Sequence, residues 1–160
     1  MKRMMISILI FVILVLAVIF YSIVVNWGES GGQTAQVKIG ENVFNVEIAK
    51  SIRELSKGLA GHAPLLDDQG MLFVFSWRGT QNFWMKGMEF PIDIIWIKDG
   101  QILGIEKNVP PPGENGGETP TYSSPEPVDR VLEINAGLSD KIGINKGDKV
   151  EILIGDKKEL

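Results

Sequence analysis

The feature that most limits what this chain can fold into is an uncharged run from Met5 to Val25, preceded by Lys2 and Arg3 and followed by Asn26, Trp27 and Glu29. At ~1.5 Å rise per residue, a helix of ~20 residues spans a hydrocarbon core ~30 Å thick, so this run is expected to cross a membrane. The two basic residues on its short side put the N-terminus in the cytoplasm and the remaining chain outside. A cleaved signal peptide is the rival reading. Signal h-regions of ~7–15 residues end at an A-x-A-like site. Here the run is longer, and nothing from Ser22 to Ser30 gives small-x-small in the right place. A lipoprotein anchor needs a cysteine after the run, and the chain has none. The expectation is an uncleaved signal-anchor over residues 1–25; with or without cleavage, the rest of the chain is exported.

Export permits disulfides, yet without cysteine the exported part must be stable on its own packing. Thiolate metal sites, Fe–S clusters and a cysteine nucleophile are excluded with it. Residues 26–36 contain Gly28, Ser30, Gly31 and Gly32 and read as a flexible tether. Residues 37–155 remain, about 120 in number, enough for one core and too few for two ordinary domains. Outside the anchor lie all 20 acidic residues and 14 of the 16 basic ones, a net charge of −6. That sign argues against nucleic acid as a partner and against adhesion to anionic lipid.

Most of the domain reads as strand. Val37 and Ile39, then Val43, Phe44, Val46 and Ile48, flank Gly40-Glu41-Asn42, a hairpin signal. Ser51-Ile52-Arg53-Glu54 fits a capping box, and Ile52, Leu55 and Leu59 have helical spacing, with Gly58 and Gly61 as stops. The apolar blocks from Gly70 to Phe75 and from Asn82 to Met85 suggest strands buried on both faces. Asp99-Gly100 between Ile92–Ile97 and Ile102–Ile105 is the strongest hairpin signal. Residues 108–124 are rich in proline and glycine and read as a long functional or mobile loop. A strand from Val128 to Ile134, a turn or short helix from Ala136 to Ile142 and a strand from Lys149 to Ile154 close the chain. The fold class is mainly β (α+β): a small barrel-like domain with one or two short helices, after an N-terminal transmembrane helix.

Standard catalytic constellations are missing. His62 is the one histidine, so no histidine cluster holds zinc, and no phosphate-cradling loop or Gly-x-Ser-x-Gly elbow is present. Met71, Met85 and Met88 with His62 have the ligand chemistry of Cu(I), but methionine is more often a filler of irregular cores. Neither a metal nor a cofactor is expected. Asp93, between Ile92 and Ile94, puts a charge in an apolar strand, where it costs several kcal/mol unless paired or solvated. Two readings fit it: a polar group at the mouth of a pocket, or a carboxylate that accepts backbone N–H bonds and pins a loop. Alternation places it with Ile95 and Ile97, opposite Ile94 and Trp96. Glu133, between Leu132 and Ile134, has a similar setting, and Lys86 follows Trp84-Met85. Asp93 and Glu133 would form a general acid/base pair if their strands faced each other, with Lys86 able to neutralise one of them. Among the aromatics, Trp77 is the expected exposed ring, since Ser76, Arg78, Gly79 and Thr80 read as loop.

Six motifs in order, Gly58-Leu59, Gly70-Met71-Leu72-Phe73-Val74-Phe75, Phe83-Trp84-Met85-Lys86, Pro91-Ile92-Asp93-Ile94-Ile95, Val131-Leu132-Glu133-Ile134-Asn135-Ala136-Gly137 and Gly147-Asp148, strongly resemble the DUF192 family. The resemblance covers nearly all of the exported domain and implies a small, mainly β domain, often exported or anchored, with no activity to transfer. Family members carry two arginines where this chain has Leu55 and His62, and a methionine where it has Ala60. If those arginines bind an anionic ligand in relatives, this chain has lost them, and anion binding is not expected here. The function expected is non-catalytic binding of a small molecule, glycan or envelope partner near Trp84, Lys86, Asp93 and Glu133, under the 108–124 loop. A hydrolase or lyase using Asp93 and Glu133, and a scaffold for another membrane protein, are the alternatives.

Overall fold

The structure, a computed structural model, describes residues 32–113, 120–154 and 157–159, with Val15 apart from them. The expected membrane-crossing helix and nearly all of the tether lie outside the described residues. Among the described residues no helix is long and apolar enough to cross a membrane. Gln33–Leu160 forms one compact unit.

The unit starts with a hairpin of β1 (Thr34–Ile39) and β2 (Asn42–Ala49), joined by the two residues Gly40 and Glu41. Ser51 then caps α1 (Ile52–Lys57), in the reciprocal capping box its sequence suggests, with the Glu54 side chain accepting from the Ser51 N–H at 2.8 Å. The helix carries the chain over to β3 (Gln69–Gly79), which pairs parallel with β2. A crossover is what a parallel pair requires. Next come β4 (Asn82–Trp84), β5 (Ile92–Lys98) and β6 (Gln101–Val109). The β5–β6 turn places Asp99 at φ 50° and Gly100 at φ 69°, the left-handed pair a tight hairpin needs. β7 (Thr121–Ser123), β8 (Val128–Asn135), α2 (Leu138–Lys141), β9 (Val150–Ile154) and β10 (Lys157–Glu159) complete the unit.

Eight strands form one sheet in the order β10-β9-β1-β2-β3-β8-β5-β6, and β4 pairs with β7 in a separate ribbon. The sheet is curled into a half barrel. Its β6 edge returns toward β9 through Val150 N–H to the Gly100 carbonyl (2.8 Å) and Ile102 N–H to the Asp148 carbonyl (3.0 Å). Alternation along the strands sorts side chains onto two faces. Inside the curl lie Val37, Phe44, Val46, Leu72, Ile95, Ile97, Leu132 and Ile134, with Leu138 and Ile144 packed among them. The other face of β3, β5 and β8 buries Phe73, Ile92, Ile94, Trp96 and Val131 beneath Leu59, Met85, Met88 and Phe90. Each such side chain, when fully buried, stabilises by roughly 1.5–3 kcal/mol.

Several elements differ from the sequence reading. The block from Asn82 to Met85 is not a strand covered on both faces: β4 stands in the two-stranded ribbon with Trp84 58 % exposed. Only the first half of β3 is buried; its register with β8 breaks after Val74, and Phe75 to Trp77 emerge toward solvent. Segment 108–124 is less irregular than its composition suggests, because β6 runs to Val109 and β7 forms at Thr121. Residues 114–119 of that segment lie outside the described residues. The strand β10 extends the fold past Ile154, where no apolar pattern marks it.

Candidate functional site: an aromatic cleft floored by Glu133

Helix α1 has the apolar spacing of a core helix, yet none of its residues is buried, and Ile52 is 88 % exposed. Its apolar positions Ile52 and Leu55 instead line one wall of a cleft of about 700 Å³. The opposite wall comes from alternate residues of β3, Phe73, Phe75 and Trp77, and from Phe83 and Trp84 of β4. Phe83 sets that wall: its ring meets Phe73 edge-on at 4.8 Å and Trp96 at 5.6 Å, which ties the cleft lining to the outer core. Lys50, Lys57 and Lys86 stand around the opening, all three exposed, and Thr121 borders it from β7.

Glu133 forms the floor. It lies on the central strand β8, opposite Met71 on β3 and Ile94 on β5, and is 5 % exposed. Its Oε2 is buried with no hydrogen-bond partner among the described residues. Burial without a compensating charge pushes its pKa up to about 8, so the group is a neutral carboxylic acid at pH 7. Such an acid is a hydrogen-bond donor, unlike an ionised carboxylate. Two glycines shape its surroundings. A Cβ on Gly70 would lie 2.7 Å from the Glu133 carbonyl oxygen, so β3 and β8 reach their close approach only with glycine there. Gly58, at φ 50°, ends α1 with its backbone against the Phe73 ring, where a Cβ would stand 4.0 Å from Glu133 Oε2.

Asp93 belongs to a different structure. Its Oδ1 accepts the N–H groups of Asn108 (2.8 Å) and Gly137 (3.0 Å). Its Oδ2 accepts the Ser139 N–H (3.0 Å) and hydroxyl (2.6 Å). The carboxylate, fully buried, thus clips the end of β6 and the start of α2 to β5. Although β5 and β8 are neighbours, Asp93 pairs with Ile134 and Glu133 with Ile94. That one-residue offset sends the two carboxyl groups to opposite faces of the sheet. They share no space and form no acid/base pair.

Of the four residues marked in the sequence, the structure brings Trp84, Lys86 and Glu133 to one cleft and leaves Asp93 outside it. Lys86 neutralises neither carboxylate, and among the described residues it enters no ion pair. Met71, Met85 and Met88 pack in the outer core, and the described residues hold no group of three His, Cys, Asp or Glu suited to a metal. Trp77 is 74 % exposed and joins Trp84 at the cleft. The sequence reading missed the helix wall, Ile52 and Leu55, because helical apolar spacing does not distinguish a buried face from one beside a cleft. Leu55 and the exposed capped helix were the available signal: leucine there replaces one of the arginines expected from the resemblance.

The sequence profile of the DUF192 family, described as an uncharacterized ACR, matches residues 35–152. No curated protein matches. Two solved structures are similar. A protein of unknown function from Novosphingobium aromaticivorans DSM 12444 is 34% identical, with a TM-score of 0.70 over 77% of this chain and 88% of its own. A candidate transcription regulator from Sinorhizobium meliloti 1021 is 31% identical, with a TM-score of 0.65 over 74% of this chain and 91% of its own.

Proposed function

The chain belongs to the DUF192 family, and from the geometry of its cleft we propose that it is a binding protein that holds a small organic molecule over Glu133 without transforming it. The observation that carries this reading is the unpartnered, buried, neutral Glu133 at the base of an open aromatic cleft. Leaving a buried carboxyl unsatisfied costs roughly 1–3 kcal/mol, which a ligand acceptor would recover. The cleft volume falls within the ~300–1,000 Å³ common for small-molecule sites, and a mostly apolar lining with one convergent polar group is their usual composition. The enzymatic alternative loses its support, because Asp93 and Glu133 do not face one space. The regulator description of the Sinorhizobium protein is not carried across, since the chain beyond residue 25 has a net charge of −6, the wrong sign for a nucleic-acid partner.

Anchoring through residues 1–25 and an extracytoplasmic place for the domain are part of the same proposal, supported by the uncharged run after Lys2 and Arg3. A C-terminal alkaline phosphatase fusion tests the topology, because that reporter is active only outside the cytoplasm. An inactive fusion that is nonetheless expressed would reverse it.

The binding reading is tested on residues 33–160. This segment is one compact unit, and its counterpart makes up 88% and 91% of two relatives with crystal structures. A thermal-shift screen against metabolites and glycans would include Trp84→Ala and Glu133→Leu. A ligand at 100-fold over its Kd adds ~2.7 kcal/mol, which raises Tm by several degrees. The expected outcome is a hit that both folded variants lose. A wild type that nothing shifts, or hits indifferent to both substitutions, would refute the proposal.

A further inference from the structure

Resting on that binding reading, we propose that the cleft selects amphipathic anions: an apolar body lies on the aromatic wall, an uncharged acceptor meets Glu133, and an acidic group sits at the opening between Lys57 and Lys86. Among the described residues, three charged ones besides Glu133 line the cleft, and all three are lysines. The opening is therefore positive in a domain that is otherwise acidic. Two of these lysines are also available. Lys98, Lys107 and Lys141 each pair with a carboxylate, Glu126, Asp140 and Asp67 respectively. Among the described residues Lys57 and Lys86 enter no ion pair, whereas Lys50 donates to the Gln33 side chain at 2.5 Å and also faces the Glu54 carboxylate electrostatically.

The rival occupant is a cation, for which aromatic rings beside a carboxyl group are a familiar setting. Charge decides against it. A cation would approach three ammonium groups, and among the described residues it would find the only acidic group in the lining neutral and desolvated. The arginines expected at positions 55 and 62 from the family resemblance are leucine and histidine here. The positive charge of this cleft thus comes from lysines on both sides of the opening rather than from those positions. Lysine is a flexible point charge, which suits a ligand whose acidic end stays near solvent.

The test compares three probes with one tail and different heads, decanoate, decanol and decyltrimethylammonium, titrated below their micelle concentrations into residues 33–160 by calorimetry. Decanoate is expected to bind tightest and the ammonium compound weakest. Replacing Lys57 and Lys86 together by glutamine should weaken decanoate roughly threefold to tenfold, the range for two exposed ion pairs, and leave decanol unchanged. Added salt should erode decanoate binding alone. Equal binding of decanoate and decanol, or a preference for the cation, overturns the anion assignment while leaving the cleft a binding site. Failure of all three to bind overturns the amphipathic-anion assignment, and the binding reading falls only if the metabolite and glycan screen also shifts nothing. Co-sedimentation with phosphatidylglycerol vesicles separates two sources of the chemistry. Decanoate binding without pelleting assigns a free amphiphile, whereas pelleting that the double substitution abolishes assigns a bilayer lipid.

Discussion

Asp93 and Glu133 look alike in the sequence, each an acidic residue between two large aliphatic ones in a strand. Their environments differ in one respect, the supply of donors. Asp93 accepts four hydrogen bonds, three from backbone N–H groups and one from the Ser139 hydroxyl, whereas Glu133 Oε2 has none among the described residues. Asp93→Asn puts an NH₂ group against those donors and removes the charge. It should cost about 3 kcal/mol or more in urea melts. A loss under 1 kcal/mol would mean the clip does not hold β6 and α2 to β5. For Glu133 the effect appears as pH dependence. Its folded pKa of about 8 lies above the ordinary 4.5, so between those values the folded state keeps a proton that the unfolded state has released. Stability therefore falls as pH rises through this window, by roughly 3 kcal/mol between pH 5 and 8, and levels off above it. Glu133→Gln should be flatter across the same range and overtake the wild type at the alkaline end. Parallel profiles for the two proteins would contradict the raised pKa. The sequence shows that both residues are unusual; the partners that tell them apart come from segments 15 to 46 residues away from Asp93, which no local pattern encodes.

At the scale of elements, patterning locates most strands and both short helices but misjudges what covers them. The Asp99-Gly100 turn and the Ser51–Glu54 capping box are legible because their chemistry is local. The ribbon of β4 and β7 is not, since a three-residue strand has too little alternation to show which face is wet. Helix α1 is the instructive failure. The spacing of Ile52 and Leu55 reads as helix, yet only Leu55 leans on the outer core, half-buried, while Ile52 stands exposed at the cleft that both line. The energetic consequence is specific. Ile52→Ser removes a side chain that is 88 % exposed, so it should change stability by less than about 0.5 kcal/mol while weakening any ligand that binds across the cleft. A destabilisation above 2 kcal/mol with unchanged binding would place Ile52 in a core contact instead.

For the molecule as a whole, the curled sheet divides two tasks between its faces. The inner face, closed by the return of β6 toward β9, carries the core and the Asp93 clip. The outer face of β3 and β8 carries a second core that stops short of complete coverage, leaving Glu133 at the base of the aromatic cleft. The mainly β class and the family are legible in ordered motifs spread along the domain. The cleft is not, because it depends on where α1, the outer half of β3 and β4 end up relative to one another. The most direct test of this arrangement is a carbon NMR titration of the Glu133 side-chain carboxyl in residues 33–160, with and without decanoate. The free domain should show a midpoint near pH 8, and decanoate should move it higher, because its tail excludes water from the acid and its carboxylate adds negative charge at the opening. A midpoint in the ordinary carboxylate range, or one that decanoate leaves in place while binding, would contradict a neutral Glu133 at the floor of a ligand cleft.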